Sequence, residues 1–309
     1  MPLPAALSSR LKLPLIAAPM FLISNPTLVR ACCQAGIMGT FPALNQRTTA
    51  GYADWLRELA DTLGPEDAPY GVNLIVHKTN SRLEADLKVT VDHKVPVVIT
   101  SLGAVRDVVD AVHSYGGLVF HDVINTRHAE KAIDAGVDGI IAVCAGAGGH
   151  GGTLSPFALS HEIRQIFDGT LIVSGALSTG AHMAAVRAMG ADLAYMGTRF
   201  IATAESPAPA AYKQMVLGAT AKDIVYTPAI SGIWANFLAP SLQAHGLDTE
   251  ALKATPEINV DEELGQTKAW VDIWSAGQGC GAIQNLPTVN DLCADLSQQM
   301  RMAIESLAP

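Results

Sequence analysis

The chain carries little charge. Of its 309 residues only 16% are Asp, Glu, Lys or Arg, against 49% hydrophobic, a balance that suits a compact protein whose strands are buried on both faces. The net charge of −9 contains no long acidic or basic block, and lysines and arginines stand singly. Nucleic acid and anionic membrane surfaces are therefore not expected as partners. Cysteine is scarce as well. The five residues Cys32, Cys33, Cys144, Cys280 and Cys293 are odd in number and lack CxxC spacing, which argues against a disulfide framework or a zinc site and fits a reducing cytosol. No HxH or HExxH pair occurs, so no metal site is expected. The apolar run from Leu13 to Ile23 contains Pro14 and Pro19 and follows no strongly basic segment. It is too short to cross a bilayer and reads as a first strand with its exit loop, in a soluble, cytoplasmic protein.

What the sequence does have is regular punctuation by glycine. Four times a helical pattern ends at a glycine and runs directly into an apolar strand: Gln34-Ala-Gly36-Ile-Met-Gly-Thr40, Ser114-Tyr-Gly116-Gly-Leu-Val-Phe120, Asp134-Ala-Gly136-Val-Asp-Gly-Ile-Ile141 and Ala188-Met-Gly190-Ala-Asp-Leu-Ala-Tyr195. Glycine takes the left-handed cap at no Cβ cost, so each marks a short connection from helix to strand. Eight apolar strands follow: Leu15–Ala18, Ile37–Thr40, Tyr70–Leu74, Val97–Thr100, Leu118–His121, Gly139–Cys144, Leu171–Ser174 and Leu193–Met196. Helix-like segments separate them, among them Ala104–Ser114 and Thr179–Met189. This alternation predicts an α/β fold, a closed (β/α)8 TIM barrel, in preference to an open doubly wound sheet. After Thr198 the pattern breaks. Residues 207–267 hold Pro207, Pro209, Pro228, Pro240 and Pro256 with helical fragments such as Ala210–Leu217 and no strong strand signal. They are expected to form a small, mostly helical insertion over one end of a barrel built from residues 1–206 and 268–309. An amphipathic helix from about Thr288 to Leu307 supplies the barrel's eighth.

Active sites of such barrels lie at the C-terminal ends of the strands. The residues just past those ends are therefore the candidates: Ala18-Pro19-Met20, Asn73, Ser101, His121-Asp122, Gly146 to His150 (with Gly149), Ser174-Gly175-Ala176 and Gly197-Thr198. The run Cys144-Ala-Gly-Ala-Gly-Gly-His150-Gly-Gly152 lets backbone approach a ligand closely while one titratable ring stays in reach; a tight turn with a solvated histidine is the plainer alternative. Ser174-Gly-Ala-Leu-Ser-Thr-Gly180 opens a helix, and strand eight ends in Met196-Gly-Thr-Arg199. Helix starts bind anions, and loops seven and eight commonly hold a phosphate in this fold, so a phosphate-bearing ligand is the natural inference. Asn73, ending a buried strand, has an amide suited to the polar edge of a planar heterocycle. His150 is placed to exchange protons near neutral pH.

With these residues assembled, the chain resembles the nitronate monooxygenase family, formerly the 2-nitropropane dioxygenases. The likeness lies in Ala17-Ala-Pro-Met20, Gly71-Val-Asn-Leu74, Gly148-Gly-His-Gly151, Ser174-Gly-Ala176 and the run from Gly190 to Ser206. The resemblance implies an FMN-containing barrel in which Ala18, Pro19 and Met20 line the flavin and Asn73 bonds its ring or ribityl chain. It further implies that Gly175, Ala176, Gly197 and Thr198 hold the phosphate, that His150 is the active-site histidine, and that Gln278 belongs to a late loop closing on the flavin. Two departures stand out: Gly146 replaces the glutamate often found in the family's Glu-Ala-Gly-Gly-His loop, and Ser174-Gly-Ala176 replaces Gly-Gly-Ile.

The reaction implied is oxidation of alkyl nitronates, or of nitroalkanes, by O2 to a carbonyl compound and nitrite. A second reading keeps FMN and has NAD(P)H reduce it, with a quinone or an enoyl thioester as acceptor. A third, from another class, is a metal-dependent lyase or hydrolase using His77, His121 and His150. Tyr226, Ser231, Trp234 and Asn236 are candidate pocket residues from the insertion, and oligomeric state is left open.

Overall fold

The computed structural model describes residues 3–77, 79–101, 103, 106–254 and 271–307. Eight parallel strands close into a barrel: β1 (Leu15–Ala17), β2 (Met38–Pro42), β3 (Gly71–Ile75), β4 (Val97–Ser101), β5 (Leu118–Val123), β6 (Gly139–Val143), β8 (Thr170–Ser174) and β9 (Leu193–Met196). A two-residue strand, β7 (Gly149–His150), lies outside it. Closure comes from β1 against β9, with Ile16 opposite Tyr195 and Ala17 opposite Met196. All eight expected strands are present, with ends shifted by a residue or two.

Strand alternation separates two apolar layers. Ile16, Met38, Ile99, Phe120, Ile141, Ile172 and Leu193 fill the interior, with Leu7 of α1 (Ala5–Ser8) in the same cluster at the N-terminal end. The outward set, including Leu15, Val98, Val119, Ile140 and Val173, packs under the helices. Each fully buried side chain of this kind contributes about 1.5–3 kcal/mol, so a pleat this consistent fixes the register.

The surrounding helices are α2 (Pro26–Gln34), α3 (Thr49–Thr62), α4 (Leu83–Asp92), α5 (Arg106–His113), α6 (Thr126–Ala135), α7 (Pro156–Ile166) and α8 (Gly180–Ala188). Asn25, Thr48, Asn125, Ser155 and Thr179 cap five of them by accepting a backbone N–H of the first turn. The four glycines of the repeat adopt φ values of 83 to 88°, as a left-handed connection requires. Ala104, where the helix after β4 was expected to begin, lies outside the described residues.

After β9 come α9 (Thr198–Ile201), α10 (Ala210–Gly218), β10 (Ile224–Thr227), β11 (Ala235–Leu238), α11 (Ala239–Ala244) and α12 (Thr249–Ala254). Helical residues outnumber strand residues here, but the two strands were not expected. They pair with each other and then with β7, making a three-stranded antiparallel sheet with the glycine-histidine loop. The expected insertion's residues 255–267, Pro256 among them, lie outside the described residues. The last helix, α13 (Val289–Leu307), packs against α8 and α2 and completes the ring. No described helix is long and apolar enough to cross a membrane.

The contact between α13 and α8 depends on Gly180. A Cβ there would lie 2.1 Å from the carbonyl oxygen of Leu296 and 2.4 Å from the amide of Met300, both backbone atoms. Overpacking of this kind costs about 1–3 kcal/mol. Gly180→Ala should therefore lower the urea midpoint of unfolding with its slope unchanged; an unshifted midpoint would show that α13 gives way freely.

Candidate functional site

The inner face of each strand supplies the floor of the barrel mouth. On β5, Phe120 belongs to the interior cluster, so Asp122 two residues on points inward and His121 points outward. His121 there bonds Thr100 Oγ1 through Nδ1 at 2.8 Å. Burial, with His128 adding to it, drives its pKa down to about 4. His77 is exposed and bonded to Thr79. His121 thus faces away from the strand ends that carry His150, and among the described residues no three His, Cys, Asp or Glu side chains converge.

Above the floor lies a cleft lined by Gly146 to Gly148, Ser174 to Ser178, Tyr195, Gly197, Thr198, Gly277 and Gly279. It brings together eight expected residues: Gly146, Ala147, Gly148, Ser174, Gly175, Ala176, Gly197 and Thr198. Ala18 and Met20 adjoin it, since a Cβ on Gly197 would meet Ala18 Cβ and Met20 Cγ at 3.6 Å; Pro19 lies between them. The three loops are tied by backbone. Gly146 O accepts from Gln278 N at 2.9 Å and Ala176 N at 3.2 Å, and Gly277 N donates to Thr198 Oγ1 at 2.8 Å. Gly175 and Ala176 both have positive φ, 121° and 56°; the second is a conformation that costs a non-glycine residue energy.

Gly146 explains the missing glutamate. Its φ is +82°, and a Cβ there would sit 2.9 Å from Gln278 Oε1 and 3.2 Å from Ala176 Cβ. The Gln278 side chain occupies the space into which a side chain at 146 would project.

The first amides of α8, expected from sequence to be open to an anion, have partners within the protein. Gly180 N donates to Gln299 Oε1 of α13 at 2.9 Å, His182 N to Thr179 Oγ1 at 3.2 Å, and Ser178 N to His182 Nδ1 at 3.0 Å. What remains toward the cleft is the Ser178 hydroxyl, buried and without a hydrogen-bond partner. The loop before α8 and the short α9 line the cleft instead.

Asn73 is buried on the inner face of β3. Its Nδ2 donates to Ile99 O at 3.2 Å and Ser101 Oγ at 2.8 Å. A carbonyl can only accept, so Ile99 O fixes the orientation of the amide, and Asn73 has its own carbonyl oxygen left for a ligand.

His150 is held through its backbone. It pairs with Ala235 across β11, and Gly149 pairs with Asn236. Gly149 N donates to Ser275 Oγ at 2.7 Å, Asn236 Nδ2 to Ala147 O at 2.6 Å, and Tyr226 Oη to Gly151 O at 3.0 Å. The His150 ring is exposed on this edge, yet partial desolvation holds its pKa below the ordinary value. Asn236 and Tyr226, expected in a substrate pocket, are instead engaged in holding this loop, and Ser231 bonds Ile233 O. Trp234 stacks on Tyr226 with centroids 4.8 Å apart. Cys144 and Cys280 are buried, and desolvation raises both thiols, Cys144 to about 12.

Sequence reasoning did not assign Tyr195 to the cleft, although its inward parity follows from Leu193. Gly277 and Gly279 flank Gln278 in the late loop that the family resemblance has closing on the flavin, and both line the cleft some 130 residues from Gly146.

Comparison with known proteins gives a consistent neighbourhood. The family model described as nitronate monooxygenase matches residues 79–299. A nitronate monooxygenase of Paraburkholderia phytofirmans is 28% identical, over 95% of this chain and 94% of that protein; one from Pseudomonas aeruginosa is 26% identical over 71% and 74%. Among solved structures, FabK from Thermotoga maritima aligns with a TM-score of 0.84 at 26% identity, covering 97% of this chain and 96% of that one. Nitroalkane oxidase from Streptomyces ansochromogenes aligns with a TM-score of 0.82 at 26% identity, covering 98% and 100%.

Proposed function

Because this chain belongs to the nitronate monooxygenase family, and so is an oxidoreductase acting on small molecules, we propose that it uses FMN to oxidise alkyl nitronates with O2, yielding a carbonyl compound and nitrite. The observation that carries this reading is the glycine-walled cleft over a barrel mouth, with one buried hydroxyl, that of Ser178, lacking a partner. The residues present fit the phosphate end of a flavin: the unpartnered Ser178 hydroxyl and the amides of Gly175 and Leu177, those of Ala176 and Ser178 being engaged within the protein, with no side chain at Gly175 or Gly197 to fill the space. Ala18, Pro19, Met20, Asn73, Gly146, Gly149, Ser174, Gly175, Ala176, Gly197, Thr198 and Gln278 are assigned to the cofactor, and His150 to the reaction. FMN, when bound, supplies the transfer of electrons from the nitronate to O2.

The protein's own part is positional and protonic. The carbonyl oxygen of Asn73 is available to a ring N–H, and Ala18 to Met20 present an apolar edge beside Gly197. His150, neutral through more of the pH range than a free imidazole, accepts the α-proton of a neutral nitroalkane on a ring nitrogen, or as its cation bonds the nitro oxygens of the anion.

The competing assignment is reduction by NAD(P)H, and it draws on the FabK alignment, whose TM-score equals that of nitroalkane oxidase within 0.02. Anaerobic mixing separates the two. Propionate 3-nitronate should bleach the flavin bands while NADH and NADPH leave them intact; bleaching by a nicotinamide alone would reverse the assignment.

A further inference from the structure

Two polar atoms at the barrel mouth have no part in the function above. The Asp122 carboxylate, on the inner face of β5, accepts from Ser101 Oγ at Oδ2, 2.6 Å away; its Oδ1 is out of solvent and has no partner. The Tyr195 hydroxyl, on β9, is likewise buried and unpartnered. It is near enough to Asp122 for a negative charge there to oppose its own ionisation, which burial already disfavours. Beneath both lies the apolar layer of Ile99, Phe120, Ile141, Ile172 and Leu193, which offers no side-chain hydrogen-bond partner. Tyr195 lines the cleft itself.

Buried polar atoms almost always have partners, so two of them facing into the barrel from β5 and β9, within electrostatic reach of each other, point to a group that sits between them. Its chemistry can be read from what each atom offers. Burial holds the Asp122 carboxyl up at about 6, with the Ser101 hydrogen bond drawing it down, so above neutral pH it is mostly ionised and Oδ1 only accepts. Tyr195 remains a phenol and donates. A group serving both must donate to the carboxylate and accept from the phenol. A phosphate or carbonyl oxygen cannot donate; an alcohol does both. The chain Asn73 Nδ2 to Ser101 Oγ to Asp122 Oδ2 holds the carboxylate in place for it.

We propose that Asp122 and Tyr195 together recognise one hydroxyl of the flavin's ribityl chain, the polyol that joins the ring to the phosphate. The inference rests on the FMN reading and adds two binding residues to it. The chain departs here from a cleft built of glycine and backbone: the pair selects for an alcohol at one position of the ligand.

The test is a fluorescence-quenching titration, at pH 7.5, of the full-length protein stripped of flavin. The ligands are FMN and its 2′-, 3′- and 4′-deoxyribityl analogues; the proteins are wild type, Asp122→Asn and Tyr195→Phe, each checked for folding by circular dichroism. Both variants should bind FMN about tenfold more weakly, the usual size of a lost hydrogen bond to a charged or buried group. Wild type should lose a similar factor for one analogue only, and the variants should bind that analogue as they bind FMN. Unchanged FMN affinity in the variants, or equal losses for all analogues in all proteins, overturns the proposal and leaves a buried water as the occupant. If one variant fails to fold, the other carries the comparison. A wild-type protein that binds no FMN at all would instead remove the flavin reading, a separate and recognisable result.

Discussion

Replacing His150 with alanine should lower turnover by about 10²- to 10⁴-fold, the range for loss of a positioned acid or base, while FMN remains bound. The two effects separate because backbone bonds place the loop. Gly149 and His150 are placed by pairing with Asn236 and Ala235, and by the 2.7 Å bond from Gly149 N to Ser275 Oγ; none involves the imidazole. The pH profile follows from the direction of the shift. Desolvation lowers the His150 pKa, so the basic form persists as pH falls and is lost only below the ordinary value of about 6.5. With a neutral nitroalkane, kcat/KM of the wild type should keep its plateau to below that pH, and the variant should show no such limb. With a preformed nitronate the mutation should cost less, because the proton is already gone. Flavin content by absorbance and steady-state rates on both substrates measure this. A colourless His150→Ala protein would show that the ring supports the loop rather than the chemistry.

The barrel was legible because its signals are local. Each of Gly36, Gly116, Gly136 and Gly190 needed a left-handed φ at a helix end, and each strand was an uninterrupted apolar run between such points. What escaped the sequence is set by distant contacts. The strands Ile224–Thr227 and Ala235–Leu238 have four residues each, one followed by Pro228, and gain their third partner from His150, some 85 residues away. The start of α8 looked like an anion site until Gln299, 119 residues on, took its first amide. His121 and Asp122 were inseparable as strand-end candidates; only the pleat assigns one to the helix layer and the other to the mouth. Tyr226 and Asn236 read as pocket residues because polar groups on an insertion commonly are; here the sheet they belong to uses them to brace the glycine-histidine loop.

A single methyl group added by Gly277→Ala should be highly disruptive to the site. The backbone at this position, φ −90° and ψ 165°, suits any residue, so the glycine is required by space alone. A Cβ would lie 2.6 Å from Gly146 O and 2.9 Å from Gly148 N. Neither is the end of a flexible side chain. Gly146 O is the acceptor shared by Gln278 N and Ala176 N, and Gly277 N is bonded to Thr198 Oγ1. Moving Gly146 aside therefore strains the joints among the glycine-histidine loop, the loop after β8, α9 and the late loop at once. Overpacking costs about 1–3 kcal/mol and each weakened hydrogen bond about 1 kcal/mol, so destabilisation of about 2–4 kcal/mol is expected. FMN affinity should fall by at least about tenfold, since the same joints shape the cleft. Gly218→Ala is the control: its Cβ meets nothing within 4 Å, and removing a glycine there should be neutral or stabilise by up to about 1 kcal/mol. Urea unfolding and FMN titration of both variants decide the matter. A Gly277→Ala protein with wild-type midpoint and wild-type affinity would mean that the loops slide past one another, and that the cleft is not braced by their backbone contacts.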